Sequence, residues 1–159
     1  MIVVSDTSVI SGLLQSESLH ILQKLYKNIV IPNEVFIELG QLDRALFTQL
    51  FSDWIEIKHV HDSKLLHELS SLLDLGEAEA ITLAKDLKAD VLLIDEKKGR
   101  AIATQLGLNI TGILGILIQA KRQNHVAEIK PIIRILTEKA GVWFKPDLIG
   151  EVLTIVNEN

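Results

Sequence analysis

Three runs of this chain, Ile2–Ser5, Ile29–Ile31 and Val91–Ile94, are short, continuous, apolar and rich in β-branched residues. A strand buried on both faces reads in this way, because neither side chain direction can be polar. A fourth run, Trp54–Val60, alternates more and is expected nearer an edge. A fifth, Asn109–Thr111, follows Gly107, which would stop a preceding helix. Between them lie helical patterns. Ser18–Tyr26 carries Leu19, Leu22 and Leu25; Pro32 suits a first helical turn, with Val35, Phe36 and Leu39 continuing it; Leu65–Leu73 and Glu77–Leu87 repeat apolar residues on one face. Lys97–Leu106, Gly112–Gln123, Val126–Ala140 and Asp147–Val156 complete the set. Strands alternating with helices of about ten residues predict βαβ units. The expected fold class is therefore α/β, three layers with a central, mainly parallel sheet of four to five strands.

Length bounds this to one domain spanning residues 1–159. Hydrophobic residues make up 48% of the chain and charged residues 23%, which excludes disorder. The mean hydropathy of +0.30 fits a sheet covered on both faces, or an apolar surface kept for a partner. Cysteine is absent, so disulfides and thiolate metal sites are excluded and a reducing, cytoplasmic setting is expected. No apolar run approaches the roughly 20 residues of a membrane span, and the start of the chain does not read as a signal peptide. The formal charge of −5 is unlike that of a general nucleic-acid binder. A site built from carboxylates would account for most of it.

Sites on open parallel sheets lie beyond the carboxyl ends of the strands, and this selects among the acids. Asp6 follows the first strand directly and Asp95 follows Val91–Ile94. Helices returning antiparallel to the strands begin at the same edge. Glu77 stands at one such start, just after Gly76, and Glu38 lies in the first two turns of the helix after the second strand. Four carboxylates from distant parts of the chain are thus expected on one rim. Like charges that close raise each other's pKa unless a cation neutralises them. Oxygen ligands without cysteine or a histidine cluster suit Mg²⁺ or Mn²⁺, and such an ion activates water and clamps a phosphodiester. Singly, each acid has a plainer reading: Asp6 could cap the next helix and Glu77 could favour its own helix dipole.

The residues around these acids resemble the PIN-domain nucleases. Ser5-Asp6-Thr7-Ser8 is similar to the family's opening, and Ile31-Pro32-Asn33-Glu34-Val35-Phe36-Ile37-Glu38-Leu39 carries its acid a few residues past the proline. Leu75-Gly76-Glu77-Ala78-Glu79-Ala80-Ile81 and Leu92-Leu93-Ile94-Asp95 supply the later two. Lys97-Lys98-Gly99-Arg100, Leu106-Gly107-Leu108 and Thr111-Gly112-Ile113-Leu114-Gly115 look like a prokaryotic subgroup akin to VapC-type toxins. The resemblance implies that Asp6, Glu38, Glu77 and Asp95 hold the metal and do the catalysis. It also implies RNA as substrate, a cognate antitoxin over the cleft, and a homodimer. Two departures stand out. Many relatives have Asp where Glu77 stands, and Glu79 two positions on could substitute. Many place Thr or Ser where this chain has Leu93, a polar contact that Ser8 or Thr111 could supply.

Lys97, Lys98 and Arg100 open the helix after Asp95, where they could hold substrate phosphates or simply face solvent. His59 and His61 read as a surface pair, and Thr111–Gly115 lacks the lysine of a P-loop. Trp143-Phe144 is expected to anchor the C-terminal helix; exposure would instead suggest base stacking. Helix Gly112–Gln123, with Ile113, Leu114, Ile116, Leu117 and Ile118, has no clean polar face and should be central or part of an interface. Two other functions fit the pattern: a PIN-like binding module without catalysis, and a phosphohydrolase using Asp6 as nucleophile. The second lacks the Asp-x-Asp pair, since Ser8 holds the second position.

Overall fold

The computed structural model describes residues 1–42, 44 and 53–159. Five parallel strands form one sheet: β1 (Val3–Ser5), β2 (Ile29–Pro32), β3 (Ile55–Lys58), β4 (Val91–Leu93) and β5 (Ile110–Thr111), in the order β3-β2-β1-β4-β5. The helices among the described residues are α1 (Thr7–Gln15), α2 (His20–Tyr26), α3 (Asn33–Gly40), α4 (Lys64–Ser70), α5 (Leu75–Asp86), α6 (Lys97–Gln105), α7 (Ile113–Arg122), α8 (Lys130–Glu138) and α9 (Pro146–Ile155). The expected α/β class with a parallel sheet is what the chain adopts, with five strands and Ile55–Lys58 at an edge.

Alternation along the strands divides the core. Val3 and Leu93 face a layer built from α1, α2, α7, α8 and α9, together with Ile10, Leu13, Ile116, Leu117 and Leu136. Val4, Leu92 and Ile94 face the other way, onto α4, α5 and α6, where Ile81, Ala84 and Ala103 are fully buried. Both faces of the sheet centre are covered, which is why β1, β2 and β4 carry no polar stripe, while the edge strand β3 alternates Ile55 and Ile57 with Glu56 and Lys58. Helix α7 lies within the first layer, with Ile113, Leu114, Ile116, Leu117 and Ala120 buried. Its apolar surface is consumed by the core, so it offers no argument for a dimer interface.

Several boundaries differ from the sequence reading for local reasons. Pro32 ends β2 and takes the N-cap position of α3 in extended backbone (φ −73°, ψ 162°), so it precedes the helix instead of opening it. Helix α8 starts only at Lys130, not at Val126. The segment Thr7–Gln15, whose helix is implied only by Asp6 as a cap, forms α1 with its Val9 amide bonded to the Asp6 carboxylate (3.1 Å). Among the described residues no helix is long and apolar enough to cross a membrane.

The chain end is tied back by Glu158. Its carboxylate accepts from the Ile129 and Lys130 amides, both at 2.9 Å, and from the Lys121 ammonium at 3.0 Å. Burial pushes this carboxyl up, but those amides and the Lys121 charge outweigh it and hold it below the ordinary value of 4.5. A depressed folded pKa contributes stability that is present above the unfolded value and lost as pH falls through the folded one. We expect Glu158→Ala to cost about 1–3 kcal/mol at pH 7. Urea titrations should show that penalty shrinking below pH 4, and a penalty that grows with acid would contradict the assignment.

Candidate active site

The strand order runs outward from β1 in both directions: first to β2 and β3, then across to β4 and β5. The reversal opens a crevice at the carboxyl ends of β1 and β4, the usual place for a site in an open α/β sheet. Register pairs Ser5 with Leu93, and the Asp6 amide donates to the Leu93 carbonyl (3.0 Å). Asp6 and Asp95 therefore leave adjacent strands at one level. A cleft of about 1380 Å³ opens there, and Asp6, Glu38, Glu77 and Asp95 all line it.

Asp6 is 1% exposed. Its carboxylate accepts from the Val9 amide and from the Ser8 hydroxyl (2.8 Å). Burial pushes its pKa up to about 7 despite those donors, and the charge of Asp95 adds to the rise. Glu38 lies in the second turn of α3 and accepts from the Thr7 hydroxyl. Burial raises its pKa too, with Asp74 and Glu34 contributing. Glu77 sits in the first turn of α5, which Asp74 caps through the Glu77 amide (2.8 Å). Burial pushes Glu77 up to about 8, reinforced by Asp74, Glu96 and Asp6. One oxygen of Glu77, Oε2, is buried with no hydrogen-bond partner. Asp95 accepts from the Ile113 amide (3.0 Å) at the start of α7.

Three glycines make room for these carboxylates. A Cβ on Gly76 would stand 2.6 Å from both Glu38 oxygens, one on Gly99 2.7 Å from Glu77 Oε2, and one on Gly112 2.7 Å from Asp95 Oδ1. All are closer than a side-chain carbon tolerates, so each acid rests against bare backbone. The sequence shows these glycines as helix-start punctuation; only the fold shows that each abuts a carboxylate.

The remaining sequence candidates separate. Ser8 lines the cleft and bonds Asp6. Glu79 does not substitute for Glu77: its carboxylate accepts from the Glu34 amide (3.1 Å), at the start of α3, and is not part of the cleft wall. Two residue steps along a helix turn a side chain by about 200°, which sends the two glutamates to opposite sides of α5. Lys97 and Arg100 line the cleft, whereas Lys98 points outward and is exposed. The Arg100 guanidinium also donates to the Ile94 carbonyl (2.9 Å), so it braces the end of β4 as well. Thr7, Asp74 and Glu96 line the cleft without having been singled out from the sequence. The Asp74-x-x-Glu77 spacing is a helix-start signature that could have found Asp74. His59 and His61, edge to face at 5.7 Å, are exposed and outside the cleft.

The donor set fits a hard divalent cation. It is all carboxylate oxygen, its buried members are raised towards neutrality by desolvation, and Glu77 Oε2 lacks a partner that a cation would provide. Among the described residues, no three acidic or histidine side chains stand together as a ready ligand group. Their carboxylates repel one another, and drawing them inward requires a positive charge.

Comparison with known proteins agrees with this fold. A family model for the PIN domain matches residues 2–158. This chain belongs to the PIN-domain family. PIN domains are generally nucleases and generally use divalent metal ions. Among solved structures, the chain is similar to a PilT N-terminus domain protein, SSO1118, from the hyperthermophilic archaeon Sulfolobus solfataricus P2. The two share 19% identity over 76% of this chain and 93% of that one, with a TM-score of 0.53. At that identity the likeness speaks to the fold alone. No curated protein is a significant match.

Raised carboxyl pKa values make a stability statement. Asp6 and Glu77 contribute stability that is full below their ordinary values of 3.8 and 4.5 and is lost as pH rises through about 7 and 8. In chelator, the melting temperature of this PIN domain should therefore fall between pH 5 and pH 8.5. Asp6→Asn and Glu77→Gln, which keep the shape but remove the charge, should blunt that fall. Mn²⁺ should restore stability at pH 8.5 in the parent and not in the variants. A parent that becomes more stable with rising pH in chelator would refute this electrostatic picture.

Proposed function

We propose that this PIN domain is a metal-dependent endoribonuclease that hydrolyses RNA phosphodiester bonds, and that it serves as the toxin of a toxin–antitoxin pair. The observation that carries the enzymatic reading is the buried, partnerless Glu77 Oε2 within a cleft that also gathers Asp6, Glu38 and Asp95. Asp6 and Asp95 also start helices, but gathering Glu38 and Glu77 beside them is costly in stability and has no evident structural use, whereas hydrolysis needs the full set.

Asp6, Glu38, Glu77 and Asp95 would hold Mg²⁺ or Mn²⁺, one ion or two. Bound there, such a cation would supply Lewis acidity towards a phosphate oxygen and would lower the pKa of water, so that hydroxide is available as nucleophile near neutral pH. The chain's own residues set the stage. Ser8 and the Val9 amide fix the orientation of Asp6, Thr7 fixes Glu38, and the Ile113 amide fixes Asp95. Lys97 and Arg100 on the cleft wall bring positive charge to the substrate phosphates. Leu93 is fully buried in the apolar layer and offers no polar contact, but its register partner Thr111 lines the cleft and can. This favours an active enzyme over a binding module that has lost catalysis.

Net negative charge with few cations at the site argues for weak, salt-sensitive binding to duplexes. Single strands bend a phosphate into a narrow acidic cleft more easily than a stiff duplex does. The toxin reading adds a cytoplasmic setting, an antitoxin that covers the cleft, and a homodimer, which sedimentation of the purified protein would reveal. The decisive assay compares single-stranded RNA, structured RNA and duplex DNA at fixed salt, with Mn²⁺ or chelator. We expect cutting of single-stranded or looped RNA only with metal. Ser8→Ala, which frees Asp6, should lower the rate about 10- to 100-fold, and Asp6→Asn or Asp95→Asn should lower it further. Arg100→Ala should weaken RNA binding more than Mn²⁺ binding. Cutting that survives chelation rejects the metal site, and equal cutting of duplex DNA rejects the ribonuclease.

A further inference from the structure

The cleft does not end at the acids. Its wall continues over α7 to the segment between α8 and α9, where Trp143 and Lys145 line it together with Arg122. Trp143 is 78% exposed while its neighbour Phe144 is 8% exposed and belongs to the core. The sequence pair thus divides its work: Phe144 anchors the segment and Trp143 stands in solvent. The backbone beneath it is fixed. Gly141 takes a left-handed conformation (φ +67°), and the Val142 amide then donates to the Leu136 carbonyl (2.9 Å). The Val142 side chain approaches Gly12 of α1, 3.8 Å from where a Cβ there would stand. Gly12 lies six residues along the helix that Asp6 caps, about 9 Å by helical rise. The ring therefore stands on a braced segment of the same cleft that the acids line.

We propose that Trp143 is a stacking platform for a base of single-stranded RNA, with Lys145 and Arg122 holding the neighbouring phosphates. The proposal rests on the ribonuclease reading of the same cleft. A large ring kept in water on a pinned backbone loses little conformational freedom on binding, and stacking on it is indifferent to base identity. Charge complementarity selects the occupant. An apolar peptide laid on Trp143 would desolvate Lys145 and Arg122 without giving them partners. A nucleotide offers a flat face to the ring and anions to both cations. The arrangement also answers how a chain with few cations beside its acids could grip RNA: the grip lies at the other end of the cleft.

The experiment uses the full chain carrying Asp95→Asn, so that RNA is bound without being cut, and a single-stranded oligouridylate as probe. Trp54, the other tryptophan, is 8% exposed and sits in the core, so fluorescence quenching on titration reports Trp143 in the parent, and the anisotropy of an end-labelled oligouridylate gives the affinity of parent and Trp143 variants alike. We expect saturable quenching, a loss of affinity of about 5- to 150-fold in Trp143→Ala, and near-parent affinity in Trp143→Phe. In the cleaving protein the same loss should appear in KM. Mn²⁺ affinity without RNA should match the parent in both Trp143 variants. Equal RNA affinity in Trp143→Ala overturns the proposal and leaves the ring to a protein partner, while cleavage by that variant keeps the nuclease reading alive. Trp143-dependent binding without cleavage in the parent does the reverse: the platform stands and the nuclease falls.

Discussion

The parallel pairing of β1 with β4 is the constraint on which the site depends. Its register sets Val3 against Val91, Val4 against Leu92 and Ser5 against Leu93. The chain is still in step when it leaves the sheet, and Asp6 and Asp95 emerge side by side. Each then makes its next commitment with its own carboxylate: Asp6 accepts the Val9 amide of α1, and Asp95 accepts the Ile113 amide of α7. Two helices that build the apolar layer on one face are thus started by the two acids at the crevice. Structure and chemistry share the same atoms here, so Asp6 has a capping role that an asparagine would keep and a charge that it would not.

The electrostatic cost of the site is met by packing, not by counter-charges. Donors from Ser8, Thr7 and backbone amides reach the acids, yet burial dominates, and Asp6, Glu38 and Glu77 all stand above their ordinary pKa values. Gly76, Gly99 and Gly112 explain how such crowding is tolerated sterically, since the Glu38, Glu77 and Asp95 carboxylates lie against backbone where any side chain would collide. Arg100 reaches the same corner, its Nη1 standing 2.5 Å from where a Cβ on Gly112 would be, but it spends a donor on the Ile94 carbonyl. The corner stays acid-rich. A region arranged this way is strained towards function and away from stability.

The three central strands, β1, β2 and β4, and their parallel direction were legible because each is a short apolar run, and burial on both faces leaves no other pattern. The acids at the carboxyl edge followed from that topology. What escaped was set by rotation about a helix or by tertiary distance. Glu79 differs from Glu77 by two positions, and only the direction of α5 shows that it bonds the Glu34 amide instead of facing the cleft. Lys98 fails for the same reason beside Lys97 and Arg100. The apolar helix α7 could be central or interfacial on sequence grounds, and its neighbours decide in favour of the core. Thr7 and Asp74 were missed because one needs a partner 31 residues away and the other reads as an ordinary cap. Adjacency in sequence does not make Trp143 and Phe144 one unit: the segment between α8 and α9 buries Phe144 and leaves Trp143 in solvent.

Charge placement joins the two halves of the cleft. Asp6, Glu38, Asp74, Glu77, Asp95 and Glu96 all line it near the strand ends. With Glu151 added, seven of the chain's 21 acids line the cleft, against four of its 16 lysines and arginines, a formal −3 there and −2 over the rest of the chain. More than half of the formal negative charge therefore belongs to the cleft. A polyanion approaching this surface meets its strongest repulsion at the acids, and a divalent cation there would offset part of it. Lys97 and Arg100 beside the acids, with Arg122 and Lys145 farther along, supply attraction on either side of that point. An acidic protein can thus act on an acidic substrate when the acids are gathered in one place and the cations are spaced along the path that leads to it.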